Sequence, residues 1–168
     1  MLKLIAAVDS NWLLGVNNSI PWHYSIDFKR FKNITLGSIL IMGENTVLSL
    51  PKPLKNRTII GISPDKKIST DFVVSSFHEA IEKALSTRKD ETIDVWIAGG
   101  GFVYNQALDH SLVTHLDITF VPKYKLNEND KNPVFFPKQK LNNFVVEDQF
   151  VNCLDERLTH KIYRRIKP

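Results

Sequence analysis

Asp27 is the residue whose type and position most directly imply chemistry in this chain. It stands just downstream of Pro21-Trp22, in a segment from Tyr24 to Thr35 that has helical periodicity. At about 100° per residue, Tyr24, Phe28, Phe31, Ile34 and Thr35 all fall within about 100° of Asp27. Lys29, Arg30, Lys32 and Asn33 are assigned to the opposite arc. The acid therefore projects with the aromatic residues, toward the core. A carboxylate removed from water is costly unless something pairs with it. Two readings remain open. One is an acid near a helix start, favoured by the dipole and bonded locally. The other is an acid held for a ligand that needs it. The small residues of Ile5-Ala6-Ala7, with Trp22, would form the other wall of a pocket admitting a flat ligand.

The run Gly99-Gly100-Gly101 follows an apolar strand and opens a helix. Glycines in that setting let the backbone approach a diphosphate, which helix amides stabilise. A tight turn explains them equally well, and the dinucleotide fingerprint G-x-G-x-x-G is absent. Arg57 begins a strand; its fork suits a carboxylate, and a solvated charge is the plainer reading. Trp12, Trp22, Trp96 and Tyr104 read first as packing residues, and His23 as incidental.

These residues need a frame. At 168 residues, 43% apolar and 24% charged, the chain has the size and composition of one soluble globular domain. The net charge of +4 is spread out, with a small cluster at Arg164, Arg165 and Lys167. No basic stripe interleaves with aromatics, so the expectation is an anionic small ligand and no nucleic acid. Cys153 is the sole cysteine, which rules out an intrachain disulfide, and no metal cluster is expected. The opening Met1–Asp9 run is short for a signal peptide and nothing approaches a membrane span. A cytoplasmic monomer is expected.

Leu2 to Val8 reads as a strand buried on both faces. A long loop, Asp9 to His23, follows, of a length that is usually functional or mobile. Further strands are expected at 39–42, 58–62, 72–74, 93–98, 112–121, 143–151 and 158–166, and helices at 45–50, 76–85 and 103–108. Ser76 and Glu79 have capping-box spacing. Residues 127–137 read as a surface loop. Alternating strands and helices imply an α/β fold: a central, mainly parallel sheet with helices on both faces, closed by an antiparallel C-terminal edge strand.

Taken in order, these fragments resemble the dihydrofolate reductase family over nearly the whole chain. The likeness rests on Leu4-Ile5-Ala6-Ala7, Asn11, Gly15, Asn18, Ile20-Pro21-Trp22 and Asp27-Phe28-x-x-Phe31-x-x-x-Thr35. It continues through Ile41-Met42-Gly43, Thr46, Leu54, Arg57, Ile97-Ala98-Gly99-Gly100-Gly101-x-Val103-Tyr104 and Phe136-Pro137.

The resemblance implies a single domain of that fold, residues 1–168, reducing 7,8-dihydrofolate to tetrahydrofolate with NADPH, and no metal. It implies that Asp27 binds the pterin and favours its protonation, with Trp22 and Tyr104 nearby and Thr114 supporting the acid. Ile5, Ala6, Ala7, Ile20, Phe31, Leu50, Leu54, Arg57 and Ala98 would complete the substrate site. Ile5 and Ala98 would offer carbonyls, and Arg57 would clamp the glutamate carboxylate. The cofactor would lie along Ala7, Leu13, Leu14, Gly15, Val16, Asn17, Asn18, Ser19 and Ile20, then Gly43, Asn45, Thr46 and Ser63. It would continue over Gly99, Gly100, Gly101, Phe102, Val103, Tyr104 and Gln106, with a cis Gly99–Gly100 bond. Antifolates would bind the substrate site.

Several positions depart from the family pattern. Glu44 stands where the family usually has an arginine for the 2′-phosphate of NADPH, and Ser75 where it has a second basic residue. Val47 replaces a usual tryptophan and Phe102 a polar or basic residue. A carboxylate beside a phosphate is unfavourable unless neutralised, and Lys66, Lys67 or Arg88 are the candidates for that. The resulting expectation is a relaxed preference for NADPH over NADH. Two alternatives stay open: a pyrimidine reductase of riboflavin synthesis with the same fold, and a non-catalytic pterin or nucleotide carrier.

Overall fold

The computed structural model describes residues 1–166; Lys167, part of the basic cluster, lies outside them. Ten strands and four α-helices follow in chain order: β1 (Leu2–Asp9), β2 (Leu13–Gly15), α1 (Ser25–Ile34), β3 (Ile39–Gly43), α2 (Glu44–Ser49), β4 (Thr58–Ile62) and β5 (Phe72–Val74). Then come α3 (Phe77–Thr87), β6 (Val95–Ile97), α4 (Gly101–Ala107), β7 (Val113–Val121), β8 (Val134–Phe135), β9 (Phe144–Val151) and β10 (Thr159–Arg165). A 3-10 helix at Lys138–Asn143 follows the 127–137 segment that sequence reads as a surface loop, and β8 falls inside that segment.

Eight strands form one sheet in the order β5-β4-β3-β6-β1-β7-β10-β9. Pairings from β5 to β7 are parallel, and β10 runs antiparallel to both its neighbours. The C-terminal strand is thus reversed as expected, but it lies one place inside the edge, which β9 occupies. The Asp9–His23 segment is not all loop. Its residues Leu13–Gly15 pair antiparallel with β8 in a separate two-stranded sheet. β2 and β8, three and two residues long, are too short to show periodicity, and the sequence reading leaves both in loops.

The apolar runs are continuous because both faces of the sheet are covered. On one face Leu2, Leu4, Ala6 and Val8 of β1 and Ile39 and Ile41 of β3 pack with α3 and α4 residues such as Phe77, Ile81, Val103 and Ala107. On the other, Ile5, Leu40, Met42, Ile59 and Trp96 pack with Phe31, Ile34, Val47, Leu50, Leu54 and Ala98. Ser76 caps α3 by accepting the Glu79 N–H at 3.2 Å. The Glu79 carboxylate accepts the Ser75 N–H at 2.9 Å, a residue earlier than in a strict capping box.

Candidate active site

Ala7, Gly43, Ile62 and Ala98 mark the carboxyl ends of the parallel strands β1, β3, β4 and β6, and all four line one cleft of about 740 Å³. Ligands of open α/β sheets bind in this crevice. Its wall also contains Leu14, Gly15, Asn18, Ser19 and Ile20, then Asn45 and Thr46, and the run Gly99 to Tyr104 with Gln106. Four residues expected along the cofactor are elsewhere. Leu13 and Val16 are buried, Asn17 bonds Lys131, and Ser63 is buried against Glu44. Sequence reading also leaves unplaced several residues that do form the wall: Ser49, Ile62, Pro64, Asp65, Ser76, Phe77 and Val134.

Glycine is required in this wall by backbone geometry. Gly99 has φ +118, and a Cβ there would stand 3.1 Å from Thr46 Oγ1. A Cβ on Gly15 would meet the Ser19 carbonyl at 2.6 Å. The Gly99–Gly100 peptide is cis. These bare backbones let Thr46 and Ser19 pack directly against the glycine segments of the wall.

Around β1 the geometry turns polar. The Tyr104 hydroxyl donates to the Ile5 carbonyl at 2.7 Å. Burial raises its pKa, so it stays a donor. Asp27, on the inward side of α1, is half-buried. Burial raises its pKa above 3.8; a hydrogen bond from the Thr119 hydroxyl and the charge of Arg30 oppose that rise, and Asp117 adds to it. Thr119 is the Cα partner of Ala7 in the β1–β7 register. The Thr114 hydroxyl, expected to support the acid, lies 2.9 Å from His115 Nδ1. The β1–β7 register shifts at Leu2↔Val113 and Lys3↔His115, which leaves Thr114 in a bulge. No local signal marks Thr119, because its place beside Ala7 follows from the β1–β7 register.

Two further expectations for α1 change. Phe28 is 40% exposed, although its wheel position put it inside. Arg30, assigned to the outer arc, turns in to pair with the buried Asp117. Three residues on from Asp27 is only about 60° of rotation, so Arg30 is the acid's neighbour one turn along.

Ile5, Phe31, Leu50, Leu54 and Ala98 come together in one apolar cluster beside the acid. The Ala6 side chain packs into the opposite core instead. Trp22 is half-buried ahead of α1 and is not part of the cleft wall. Arg57 donates through Nε to Thr35 Oγ1 at 2.8 Å and to the carbonyls of Lys55 and Lys32 at 2.6 and 2.5 Å. Burial lowers its pKa. The arginine is therefore held rigidly at the α1 C-terminus.

The far end of the cleft is acidic. Glu44 accepts from Ser63 Oγ, which in turn accepts the Lys67 N–H at 3.0 Å. Asp65 pairs with Lys67 at 3.1 Å, and Ser75 and Ser76 complete the wall. No arginine or lysine lines this end among the described residues.

A family profile for dihydrofolate reductase matches residues 1–165. The type 9 dihydrofolate reductase of Escherichia coli is 33% identical over 131 residues, covering 75% of this chain and 71% of that protein. The type 6 enzyme of Proteus mirabilis is 32% identical over 136 residues, covering 81% of each. The dihydrofolate reductase of Enterococcus faecalis, solved with NADP(H) and RAB-propyl, superposes with a TM-score of 0.83 at 24% identity, over 99% of this chain and 97% of that one. No helix among the described residues is long and apolar enough to cross a membrane. The extent of the match along the sequence shows that the chain belongs to the dihydrofolate reductase family.

Proposed function

We propose that this chain reduces 7,8-dihydrofolate to tetrahydrofolate with NADPH. The observation that carries this reading is Asp27, a half-buried acid of raised pKa linked through Thr119 to Ala7 of the glycine-lined cleft. The cleft offers a dinucleotide a wall of exposed backbone along Gly99, Gly100 and Gly101. When bound, NADPH supplies the hydride. The rest falls to side chains. Asp27 would bind the amino and ring nitrogens of the pterin and favour its protonation, with Thr119 holding the carboxylate. Tyr104 would fix the Ile5 carbonyl as an acceptor for the same ring. Phe31, Leu50 and Leu54 would pack along the substrate and exclude water. Arg57 has five N–H donors, so its protein contacts leave capacity for the glutamate carboxylate.

The acidic end of the cleft favours a relaxed cofactor preference. A 2′-phosphate would meet the Glu44 carboxylate, and Asp65 with its partner Lys67, with no lining arginine, whereas a 2′-hydroxyl would meet acceptors able to bond it. NADPH remains the preferred cofactor in this reading, with NADH used appreciably.

Mixing protein, dihydrofolate and NADPH or NADH, and following loss of the reduced nicotinamide absorbance, tests both points. Turnover with dihydrofolate is expected with each cofactor. Binding without turnover points to a carrier, and turnover only of a ribosylated pyrimidine points to the riboflavin-pathway reductase.

A further inference from the structure

A second polar chain leads from Asp27 toward β10. His160 of β10 is fully buried and is the Cα partner of Thr119. Its Nδ1 lies 3.0 Å from Thr119 Oγ1, and its Nε2 lies 3.0 Å from the Asn152 side-chain nitrogen. The Phe150 ring covers it, with centroids 4.9 Å apart.

The direction of each hydrogen bond in this chain follows from its far end. Asn152 Oδ1 accepts the Leu154 N–H at 2.9 Å, so the amide NH₂ faces His160. An NH₂ group only donates, which makes Nε2 the acceptor and puts the proton of the neutral ring on Nδ1. Nδ1–H then donates to Thr119 Oγ1. An oxygen that accepts on that side turns its own proton the other way, toward Asp27. An imidazolium would set an Nε2–H against the Asn152 NH₂. Burial, with the charge of Arg30 and against that of Asp117, lowers the His160 pKa to about 4, so the ring is neutral at ordinary pH. The same two charges, from α1 and β7, act on Asp27. β9 presents Phe150 to the ring, Asn152 follows just after β9, and β1 presents Ala7 to Thr119; none of these titrates.

We propose that His160 is a positioning residue: by donating to Thr119 it commits the threonine proton to the Asp27 carboxylate. Its consequence for turnover rests on the function proposed above, whereas its effect on Asp27 does not. The chain is a built-in orientation device, and its removal weakens one hydrogen bond to the ionised acid.

Carbon-13 NMR titration of the Asp27 carboxyl in the ligand-free protein tests this directly. His160→Phe keeps an aromatic ring against Phe150 and loses the donor. It is expected to raise the Asp27 pKa by about one unit, the size of one weakened charge-assisted hydrogen bond. Thr119→Val is expected to raise it at least as far, and the double variant no further than Thr119→Val alone. His160→Gln, whose amide can donate to Thr119, should return the titration toward wild type. If His160→Phe does not fold, His160→Met against His160→Gln gives the same comparison. An unmoved Asp27 titration in His160→Phe, or shifts that add in the double variant, overturns the proposal. The pH profile of dihydrofolate reduction should move with the NMR value. A shifted titration in a protein inert toward dihydrofolate would overturn the assigned reaction and leave the role of His160 standing.

Discussion

Arg30 grips Asp117 through both terminal guanidinium nitrogens, at 2.7 and 2.6 Å, one turn of α1 beyond Asp27. The pair ties the helix that carries the acid to the strand that carries Thr119. Its other partner is the Phe150 ring, 5.8 Å from the guanidinium carbon. Both side chains are largely buried, 18% and 9% exposed, so removing one charge strands the other. Asp117→Leu is expected to destabilise the fold by about 3 kcal/mol, the lower end of the range for a broken buried pair. Arg30→Met combined with Asp117→Leu should recover most of that loss, because no buried charge is left over. Urea midpoints at unchanged slope measure both variants. A double variant no more stable than Asp117→Leu would show that the pair contributes more than mutual neutralisation.

The raised pKa of Asp27 makes it a cost to folding, with a definite sign. Below 3.8, the ordinary carboxyl value, folded and unfolded forms are both protonated and the cost vanishes. As pH rises from there through the higher folded pKa, the unfolded chain ionises first and the folded state loses stability. Above the folded value the cost is complete and constant. Asp27→Asn should therefore melt above wild type at neutral pH, with the difference closing at pH values below 3.8. The same variant should still bind ligand, and its turnover should fall by about 10²–10⁴-fold, most at neutral and higher pH. Thermal melts at the two pH values, beside steady-state rates, separate these effects. Near-wild-type turnover at neutral pH would sink the assigned role.

Thr119 and Thr114 offer a matched pair of substitutions. Thr119→Val removes a hydroxyl that acts on Asp27, whereas Thr114→Val removes one that bonds His115. Only the former should depress turnover and shift the pH profile to higher values. Equal kinetic effects from the two valines would return the supporting role to the position first read from sequence.

Thr114 also shows where legibility ends. The strands of the parallel sheet are readable because burial on both faces writes them as nearly continuous apolar runs, from Leu2 to Val8 and from Ile39 to Met42. Asp27 is readable because a carboxylate in a helical apolar stripe breaks a pattern. Thr119 is not, because the bulge at Thr114 changes the strand's phase without changing its composition. Arg30 and His160 carry no signal, since their meaning lies in Asp117 and Thr119, which long-range register brings to them. The glycines that line the cleft are visible in sequence, but the residues opposite them, such as Val134 and Phe77, arrive from distant elements.

Glu44 is the residue through which the proposed cofactor preference is tested. It sits at the start of α2, bonded to Ser63, in a wall that also holds Asp65 and Ser75. Glu44→Arg exchanges a repulsive carboxylate for a donor fork suited to phosphate. One charge-assisted contact is worth about 1.5–3 kcal/mol, so the NADPH-to-NADH ratio of kcat/KM should rise by about ten- to a hundred-fold. Glu44→Gln separates the two contributions: it removes the repulsion without adding the fork, and should give a smaller rise in the same direction. The change should come through KM for NADPH, with kcat nearly constant, because the 2′ position lies far from the reacting ring and binds equally in ground and transition states. Comparable losses with both cofactors would mean that Glu44 supports the cleft through Ser63 rather than selecting what enters it.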